Sequence, residues 1–224
     1  MDTKWSAKDG IGSMEVLGVF GDDLTIVNAA RVSFAKESHE LSVQDEKLIA
    51  YLANHDHTSP FFHPQIRIRI KMPIFVAREW FRHTIGFARN EVSRRYVDSE
   101  PEIWYPDATN LRERDPKLKQ GSKDTVVEDS ESIVQEIIQT GNLAKELYAS
   151  LLRRGVAPEI ARSVLPQGMY TEWIETASLA AYVRLWKLRT DPHAQKEIRL
   201  YASALGELLS PHFPISWGVL TKRD

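Results

Sequence analysis

The sequence predicts an α+β fold: a single, mostly helical domain over residues 1–224, built around an antiparallel β-sheet. Of the 224 residues, 42% are hydrophobic, which is enough apolar material for a core. Residues 65–72, QIRIRIKM, alternate an apolar side chain with arginine or lysine, as a half-buried strand does. Several later segments repeat apolar residues every three or four positions, which is typical of amphipathic helices.

Capping residues place the elements of the first half of the chain. Asp22 or Asp23 can cap a helix that follows the β-branched segment MEVLGVFG, and Ser42 can cap the next one. Pro73 suits the first turn of a helix directly after the alternating strand. The predicted elements are strands at 14–21 and 65–72 and helices at 23–34, 42–55 and 73–83.

The second half is predicted to be helical after a surface excursion. Residues 98–124 are rich in proline, charge and turn-forming residues, so we expect an irregular surface segment there. Gly155 is suited to end a long amphipathic helix. The predicted helices lie at 125–154, 158–166, 171–190 and 194–209. No linker, repeat or low-complexity tract indicates a second domain.

Composition excludes several classes of function. The 29 basic and 31 acidic residues give a pI near 6.4, so no overall field attracts nucleic acid or an anionic membrane. No run approaches the ~18 apolar residues of a membrane span, and no secretory signal is apparent. We therefore expect a cytoplasmic protein that binds neither membranes nor nucleic acid. The absence of cysteine excludes disulfides, thiolate metal sites and thiol nucleophiles.

Residues 81–97, FRHTIGFARNEVSRRYV, concentrate positive charge around one carboxylate, Glu91. A solvated face, a nucleic-acid patch and a pocket for a small phosphorylated ligand all fit this charge. In an extended backbone, Glu91, Ser93 and Arg95 would project from one face and could hold a sugar hydroxyl and a phosphate. A charged edge strand that resists aggregation is an equal alternative. The cationic residues are Arg82, Arg89, Arg94, Arg95 and potentially His83.

Further candidates lie in helices and in one loop. On the predicted helix 73–83, Arg78 and Arg82 lie one turn apart, as do Glu79 and His83, although the helix dipole alone could favour cations there. Arg162 and Arg189 lie near helix ends, where arginines also cap carbonyl groups. Eleven helical positions separate Ser178 from Arg189, so both could border one cavity. The three loop histidines match no zinc motif, and we expect no metal at His55, His57 and His63.

Several segments together resemble a known family. Residues 73–96, PIFVAREWFRHTIGFARNEVSRRY, resemble the signature of the flavin-dependent thymidylate synthases: Arg-His-Arg, a spacer of seven or eight residues, Ser, one residue and Arg-Tyr. Four more segments fall in the family's order and at its spacings, so that the resemblance covers nearly the whole chain. These segments are AARVSF (29–34), LIAYLANHDHTSPFFH (48–63), ARSVLP (161–166) and LRTDPHAQKEI (188–198).

The resemblance implies an enzyme that methylates dUMP to dTMP. Methylenetetrahydrofolate would be the carbon donor, and FAD reduced by NADPH would be the hydride source. Family members are homotetramers whose sites combine several subunits, so a homotetramer is expected here. The lack of cysteine agrees, because the other class of thymidylate synthase attacks the pyrimidine with a cysteine.

The resemblance also assigns roles to individual residues. Arg189 would be catalytic, contacting the uracil and stabilising negative charge at N3 and O2. The residues implied for the flavin are His57, Ser59, Arg82, His83 and Glu91. Arg184 stands where relatives use an asparagine on the flavin, and we hypothesise that it meets the FAD pyrophosphate instead. The residues implied for dUMP are Arg82, Glu91, Ser93, Arg94, Arg95, Arg162 and Arg189, with Arg162 on its phosphate.

The chain departs from the family pattern at positions that generate hypotheses. Thr84 replaces the third motif residue, usually arginine, and we hypothesise that Arg89 supplies the missing guanidinium to the flavin or dUMP. Glu79 replaces a glutamine that helps to hold the dUMP phosphate, so Arg78 or Arg82 should neutralise its carboxylate. Two rival functions remain. The basic strand surface would suit a nucleic-acid-binding protein, and the departures at Thr84 and Glu79 would suit a homologue that binds dUMP without turnover.

Overall fold

The computed structural model describes residues 2–97, 99–117 and 121–222 of the chain. The strands are β1 (Lys4–Ser6), β2 (Ser13–Phe20), β3 (Gln65–Pro73), β4 (Phe87–Glu91), β5 (Arg112–Arg114), β6 (Ser122–Val126) and β7 (Tyr170–Ser178). The α-helices are α1 (Asp23–Arg31), α2 (Val43–Asn54), α3 (Ile74–Trp80), α4 (Ser130–Arg153), α5 (Pro158–Ala161), α6 (Leu179–Arg189), α7 (Lys196–Leu209) and α8 (Pro214–Leu220).

An antiparallel sheet of order β1-β2-β3-β7-β4 forms the centre of the fold. The predicted strand at 65–72 is confirmed as β3, the middle strand. Its side chains alternate as expected, because Ile66, Ile68 and Ile70 are fully buried whereas Arg67 and Arg69 are exposed. The predicted α+β class with an antiparallel sheet is therefore confirmed.

Local capping chemistry explains where the first helices begin. The Asp22 carboxylate accepts a hydrogen bond from the Thr25 amide at 2.9 Å and caps α1, and Ser42 caps α2, both as predicted. Pro73 was predicted in the first turn of a helix, and the structure places it one position earlier, at the N-cap of α3. It caps α3 from the end of β3, because its backbone still pairs with Tyr170 in β7.

The helix predicted over 171–190 is wrong in its first half. Residues up to Ser178 form β7, which pairs with both β3 and β4, and only then does α6 begin. The alternation of a strand is present, since Thr171, Trp173, Glu175 and Ala177 are all buried. A buried glutamate interrupts the apolar pattern, so the period-2 signal is hidden.

The surface excursion predicted at 98–124 contains regular structure. Its second part forms an antiparallel hairpin of β5 and β6, although residues 98 and 118–120 lie outside the described residues. Two ion pairs fasten this hairpin to the start of α7, Arg112 with Glu197 at 2.7 Å and Lys196 with Asp124 at 2.6 Å. The hairpin therefore lies where it can form the wall of a cavity beside α7.

The remaining predicted helices are confirmed with shifted ends. Helix α4 begins at Ser130, five residues later than predicted, and Gly155 follows its end with a φ of +79°, which favours glycine. The segment predicted at 158–166 is α5 followed by a 3₁₀ turn at Arg162–Val164, and the last predicted helix is α7.

One hydrophobic core joins the sheet to the helices packed on it. The largest fully buried side chains come from strands, helices and a connecting turn, and they include Trp80, Trp173, Tyr182, Phe61 and Phe213. This packing fixes the ends of α3 and α6 against the sheet. Across the described ranges, no helix combines the length and apolar character needed to cross a membrane.

Candidate functional site

A cavity of about 1140 Å³ opens where α6 ends and α7 begins, and we call it the Arg189 cavity. Helix α3 contributes one side of it, and the β5–β6 hairpin contributes another. Its lining is rich in cations, and the residues important below are Glu79, Arg82, Arg112, Arg189, Lys196 and Arg199. Such a cavity is suited to an anionic ligand.

Three hydrogen bonds fix the guanidinium of Arg189. Its Nε donates to His83 Nε2 at 3.0 Å, its Nη1 donates to Glu79 Oε2 at 3.0 Å, and its Nη2 donates to the Glu79 carbonyl at 2.9 Å. A guanidinium has five N–H groups, so two remain for a ligand. Arg189 is therefore a positioned cation with two donors available.

His83 is buried and neutral. Burial, together with the charges of Arg189, Arg184 and Arg89, lowers its pKa from 6.5 to about 4. The neutral ring leaves Nε2 free to accept the hydrogen bond from Arg189. Counting His83 as a potential cation was therefore wrong, because it accepts a hydrogen bond from the arginine and adds no charge.

We expect the His83 ring to make stability depend on pH. Its folded pKa of about 4 lies below its unfolded value near 6.5, so only the unfolded chain takes up a proton between them. The contribution of His83 to the free energy of unfolding should therefore be fully present above pH ~6.5. It should fall by up to about 3 kcal/mol as the pH is lowered towards ~4. Urea denaturation across this range measures it. His83→Gln should flatten the dependence, whereas His39→Gln, at an exposed histidine, should not. Identical profiles for wild type and His83→Gln would contradict the assignment.

Two cations oppose the negative charge of Glu79. Burial raises its pKa, and the strongest opposing effect is the charge of Arg189, its ion-pair partner. Arg82, one of the two cations predicted to neutralise Glu79, also lowers its pKa, by a smaller amount. The main partner, Arg189, was not predicted for this role.

Arg82 lies in the turn beyond α3, which ends at Trp80. The predicted helical pairing of Arg78 with Arg82 is therefore wrong. Arg82 is exposed, lines the Arg189 cavity and forms no hydrogen bond or ion pair with the residues that the structure describes. Its charge is available to a ligand.

A second cavity, of about 710 Å³, lies between the end of β4, the start of β7 and the turn at Arg162, and we call it the Arg162 cavity. Glu91 accepts a hydrogen bond from the Thr171 hydroxyl, and the Ser93 hydroxyl accepts one from the Arg95 amide at 3.3 Å. The side chain of Arg162 is exposed and has no hydrogen-bond or ion-pair partner within the described ranges. Of the predicted site residues, those that line this cavity are Glu91, Ser93, Arg94 and Arg162.

The predicted alternation of Glu91, Ser93 and Arg95 on one strand face is wrong. Strand β4 ends at Glu91, and residues 94–96 form a turn. Arg95 instead lies 3.4 Å from Glu159 and stacks near Tyr96, and it lines neither cavity. Arg94 donates to the Ser99 carbonyl.

The structure does not bring the whole predicted site together within one chain. Arg82 and Arg189 line the Arg189 cavity, Glu91, Ser93, Arg94 and Arg162 line the Arg162 cavity, and Arg95 lines neither. Four predicted flavin residues line neither cavity: His57 and Ser59 are exposed after α2, His83 is buried against Arg189, and Arg184 donates to the Ile85 carbonyl at 2.8 Å.

The hypothesis that Arg89 serves the ligand is not supported by its contacts. Its Nε donates to the fully buried Glu175 at 2.7 Å, and its guanidinium lies over the rings of Phe81 and Phe87. Its Nη2 is buried with no partner among the described residues. Arg89 is therefore a partner for a buried carboxylate and lines neither cavity.

Ser178 and Arg189 do not share a cavity, contrary to prediction. Ser178 is the buried cap of α6, and Arg189 is its last residue, roughly 16 Å along the helix at 1.5 Å per residue. The cations of the Arg189 cavity that sequence reasoning missed are Arg112, Lys196 and Arg199. Arg112 had no distinguishing signal, because its partner Glu197 lies 85 residues away in sequence.

The histidine loop is held by contacts of its own. His55 Nδ1 lies 2.8 Å from the Tyr51 carbonyl, and its ring stacks on Tyr51 at 4.1 Å. The ring of His57 meets Tyr51 edge-on at 5.8 Å. Within the described residues, no three or more histidine, aspartate or glutamate side chains group in a way that could hold a metal ion.

Comparisons with known proteins identify the family of this chain. The family model described as thymidylate synthase complementing protein matches residues 15–215. The chain is 36% identical to the flavin-dependent thymidylate synthase of Wolbachia pipientis wMel, covering 94% of this chain and 74% of that protein. Identity to the Thermus thermophilus enzyme of that name is 38%, with 92% and 74% covered. The crystal structure of the UMP/dUMP methylase PolB from Streptomyces cacaoi, bound with 5-Br dUMP, superposes with a TM-score of 0.82 at 32% identity, covering 93% of this chain and 94% of that one. The chain therefore belongs to the flavin-dependent thymidylate synthase family.

Proposed function

We propose that this protein methylates dUMP to dTMP, with FAD as cofactor and with methylenetetrahydrofolate and NADPH as co-substrates. The observation that carries the proposal is Arg189, which is held by three hydrogen bonds and has two N–H donors left in a cationic cavity. Family membership supports the choice of reaction. The substrates are small soluble metabolites, and we propose that the enzyme acts in the cytoplasm.

Arg189 would act on the pyrimidine ring. As a uracil ring becomes a carbon nucleophile, negative charge develops at N3 and O2, and a guanidinium fixed there stabilises it. Arginine suits this task because it stays charged in a pocket and can donate two parallel hydrogen bonds. Neutral His83 would hold the guanidinium in place without adding a competing charge.

The residues present fit a flavin dinucleotide. Arg82 is a cation without an ionic partner in the described chain, which suits the FAD pyrophosphate. When bound, reduced FAD would supply the hydride. We propose that Arg82 contacts it from the Arg189 cavity and Glu91 from the Arg162 cavity, together with His83, Arg184, His57 and Ser59, which line neither cavity.

We further propose that the protein is a homotetramer in which one chain's Arg189 cavity meets another chain's Arg162 cavity. The division of the nucleotide residues between two cavities of one chain supports this arrangement. Ile85 and Tyr96, next to these residues, are 70% and 77% exposed, which is unusual for large apolar side chains unless another surface covers them. Ser93, Arg94, Arg95 and Arg162 of one chain would then hold the dUMP phosphate and sugar against Arg189 of another.

Mixing two nearly inactive variants tests the shared site. Arg189→Ala and Arg162→Ala should each have very low activity alone, but mixed oligomers should contain sites in which both arginines are intact. Random association of equal amounts should restore about a quarter of the sites, since each half is intact with a probability of one half. Turnover of the co-expressed, separately tagged chains measures this. A mixture as inactive as its components would show that both arginines must come from one chain.

The spectrum of the purified protein tests the function as a whole. Anaerobic NADPH should bleach a flavin band near 450 nm, and dUMP should change the rate of bleaching. Because PolB is described as a UMP/dUMP methylase, UMP is the matched alternative substrate. Product formation from dUMP with methylenetetrahydrofolate would establish the activity.

A protein that stays colourless with FAD, or that binds dUMP without turnover, would support the binding-only alternative. Steep salt dependence of nucleic-acid binding would support the other rival.

A further inference from the structure

The Arg189 cavity extends beyond Arg189 to a group of cations at the start of α7. Lys196 and Arg199 lie in the first turns of this helix, and Arg112 faces them from β5. The proposed reaction at the pyrimidine uses none of these three residues. Their position in the same cavity raises the question of which anion they would meet.

Ion pairs already neutralise two of these cations. Arg112 donates to Glu197 at 2.7 Å and to the Ser122 hydroxyl at 2.8 Å, and Lys196 pairs with Asp124 at 2.6 Å. These bonds fasten the β5–β6 hairpin to α7. They give Arg112 and Lys196 a structural role that needs no ligand.

Arg199 differs from its neighbours. It forms no ion pair within the described residues, and its Nε is buried without a hydrogen-bond partner. A buried donor without a partner destabilises the protein until an acceptor reaches it. The nearby carboxylate of Asp124 is already bound to Lys196. Arg199 therefore lines the cavity with a charge that acts on Asp124 through space but has no ion pair of its own among the described residues.

The end of α7 reinforces this charge. No side chain caps the helix at Gln195, and an uncapped N-terminus carries partial positive charge from its amide groups. The helix has 14 residues, so its dipole is well developed. Arg199 and this helix end face one cavity, which favours an anion with several acceptor oxygens.

We infer that Arg199, with the start of α7, forms a subsite for an anionic group, a phosphate or a carboxylate, of a co-substrate that enters the Arg189 cavity. The identity of the co-substrate rests on the proposed function. The dUMP phosphate is not this group, because the proposed function assigns it to Arg162. The two sources of such an anion are the 2′-phosphate of NADPH and the glutamate carboxylates of folate.

Equilibrium binding to the FAD-loaded protein tests the subsite without requiring turnover. Arg199→Ala is compared with Arg199→Lys, which restores charge, and with Arg154→Ala, which removes an exposed arginine at the end of α4. The probes are NADP⁺ and NAD⁺, folate monoglutamate and triglutamate, and dUMP. Thermal unfolding checks that each variant is folded.

Arg199→Ala should weaken the binding of one probe about tenfold, the size of one lost charge-assisted hydrogen bond. Loss of the preference for NADP⁺ over NAD⁺ would identify the phosphate, and loss of the preference for triglutamate would identify the carboxylates. Arg199→Lys should recover most of the affinity, and dUMP binding should be unchanged. Unchanged affinities for every probe, or an equal loss that includes dUMP, would overturn the inference.

The two proposals fail separately in this design. If wild-type protein binds one probe through Arg199 but forms no dTMP, the reaction is wrong and the subsite stands. If the protein forms dTMP and Arg199→Ala binds every probe as wild type does, the subsite is wrong and the reaction stands.

Discussion

Replacing Arg189 with alanine is expected to lower kcat by about 10²–10³-fold, the effect of removing a positioned donor where negative charge develops. The guanidinium is held by His83 and by two acceptors of Glu79, so it needs little rearrangement when the substrate arrives. Steady-state kinetics with dUMP, together with the rate of flavin reduction, measures the loss.

Two companion variants separate charge from geometry. Arg189→Lys keeps the charge but loses the planar donor fork, so it should recover little of the activity. Glu79→Gln keeps an acceptor for Arg189 and removes a negative charge beside the anionic ligand, so kcat should be retained and KM for dUMP should fall. A kcat for Arg189→Ala within a few-fold of wild type would refute the catalytic role.

Replacing Glu175 with leucine is expected to destabilise the fold by about 3–5 kcal/mol, because it leaves a buried charge without its partner. Glu175 is fully buried and accepts hydrogen bonds from Trp80 and Trp173 at 3.0 Å and from Arg89 at 2.7 Å. Its loss would leave three donors unpaired at the junction of α3, β4 and β7. Urea denaturation at neutral pH measures the change.

A second substitution and a surface pair provide the controls. Adding Arg89→Met to Glu175→Leu removes the unpaired guanidinium, so the double variant should be more stable than Glu175→Leu alone. Glu15→Ala breaks the exposed pair with Lys4 and should change stability by at most about 1 kcal/mol. A double variant less stable than the single one would show that Arg89 stabilises the fold independently of Glu175.

The buried carboxylate also connects the core to both cavities. Trp80 ends α3, which carries Glu79, and Arg89 lies in β4, which ends at Glu91. Glu175 in β7 therefore ties the segments that line the two cavities to one strand. Sequence reasoning assigned the Arg89 guanidinium to the flavin or dUMP, because its actual partner, Glu175, lies 86 residues away.

Local chemistry made much of the fold predictable from the sequence. The alternation in β3 and the caps at Asp22 and Ser42 depend on neighbours within a few residues, so they could be predicted without tertiary contacts. The same reasoning failed at β7, where Glu175 occupies a core position that only a distant arginine makes possible. The family was predicted from the motif at 73–96 and confirmed by the comparisons.

The sequence by itself determined the family, the antiparallel sheet and the identity of Arg189 as the residue to test, because motifs and periodicity are local properties of the chain. Tertiary structure alone decided that Glu79 and His83 hold Arg189, that Arg89 belongs to the core and that the nucleotide residues divide between two cavities. The physical reason is distance along the chain: Glu79 and Arg189 are 110 residues apart, and only folding brings their charges within 3.0 Å.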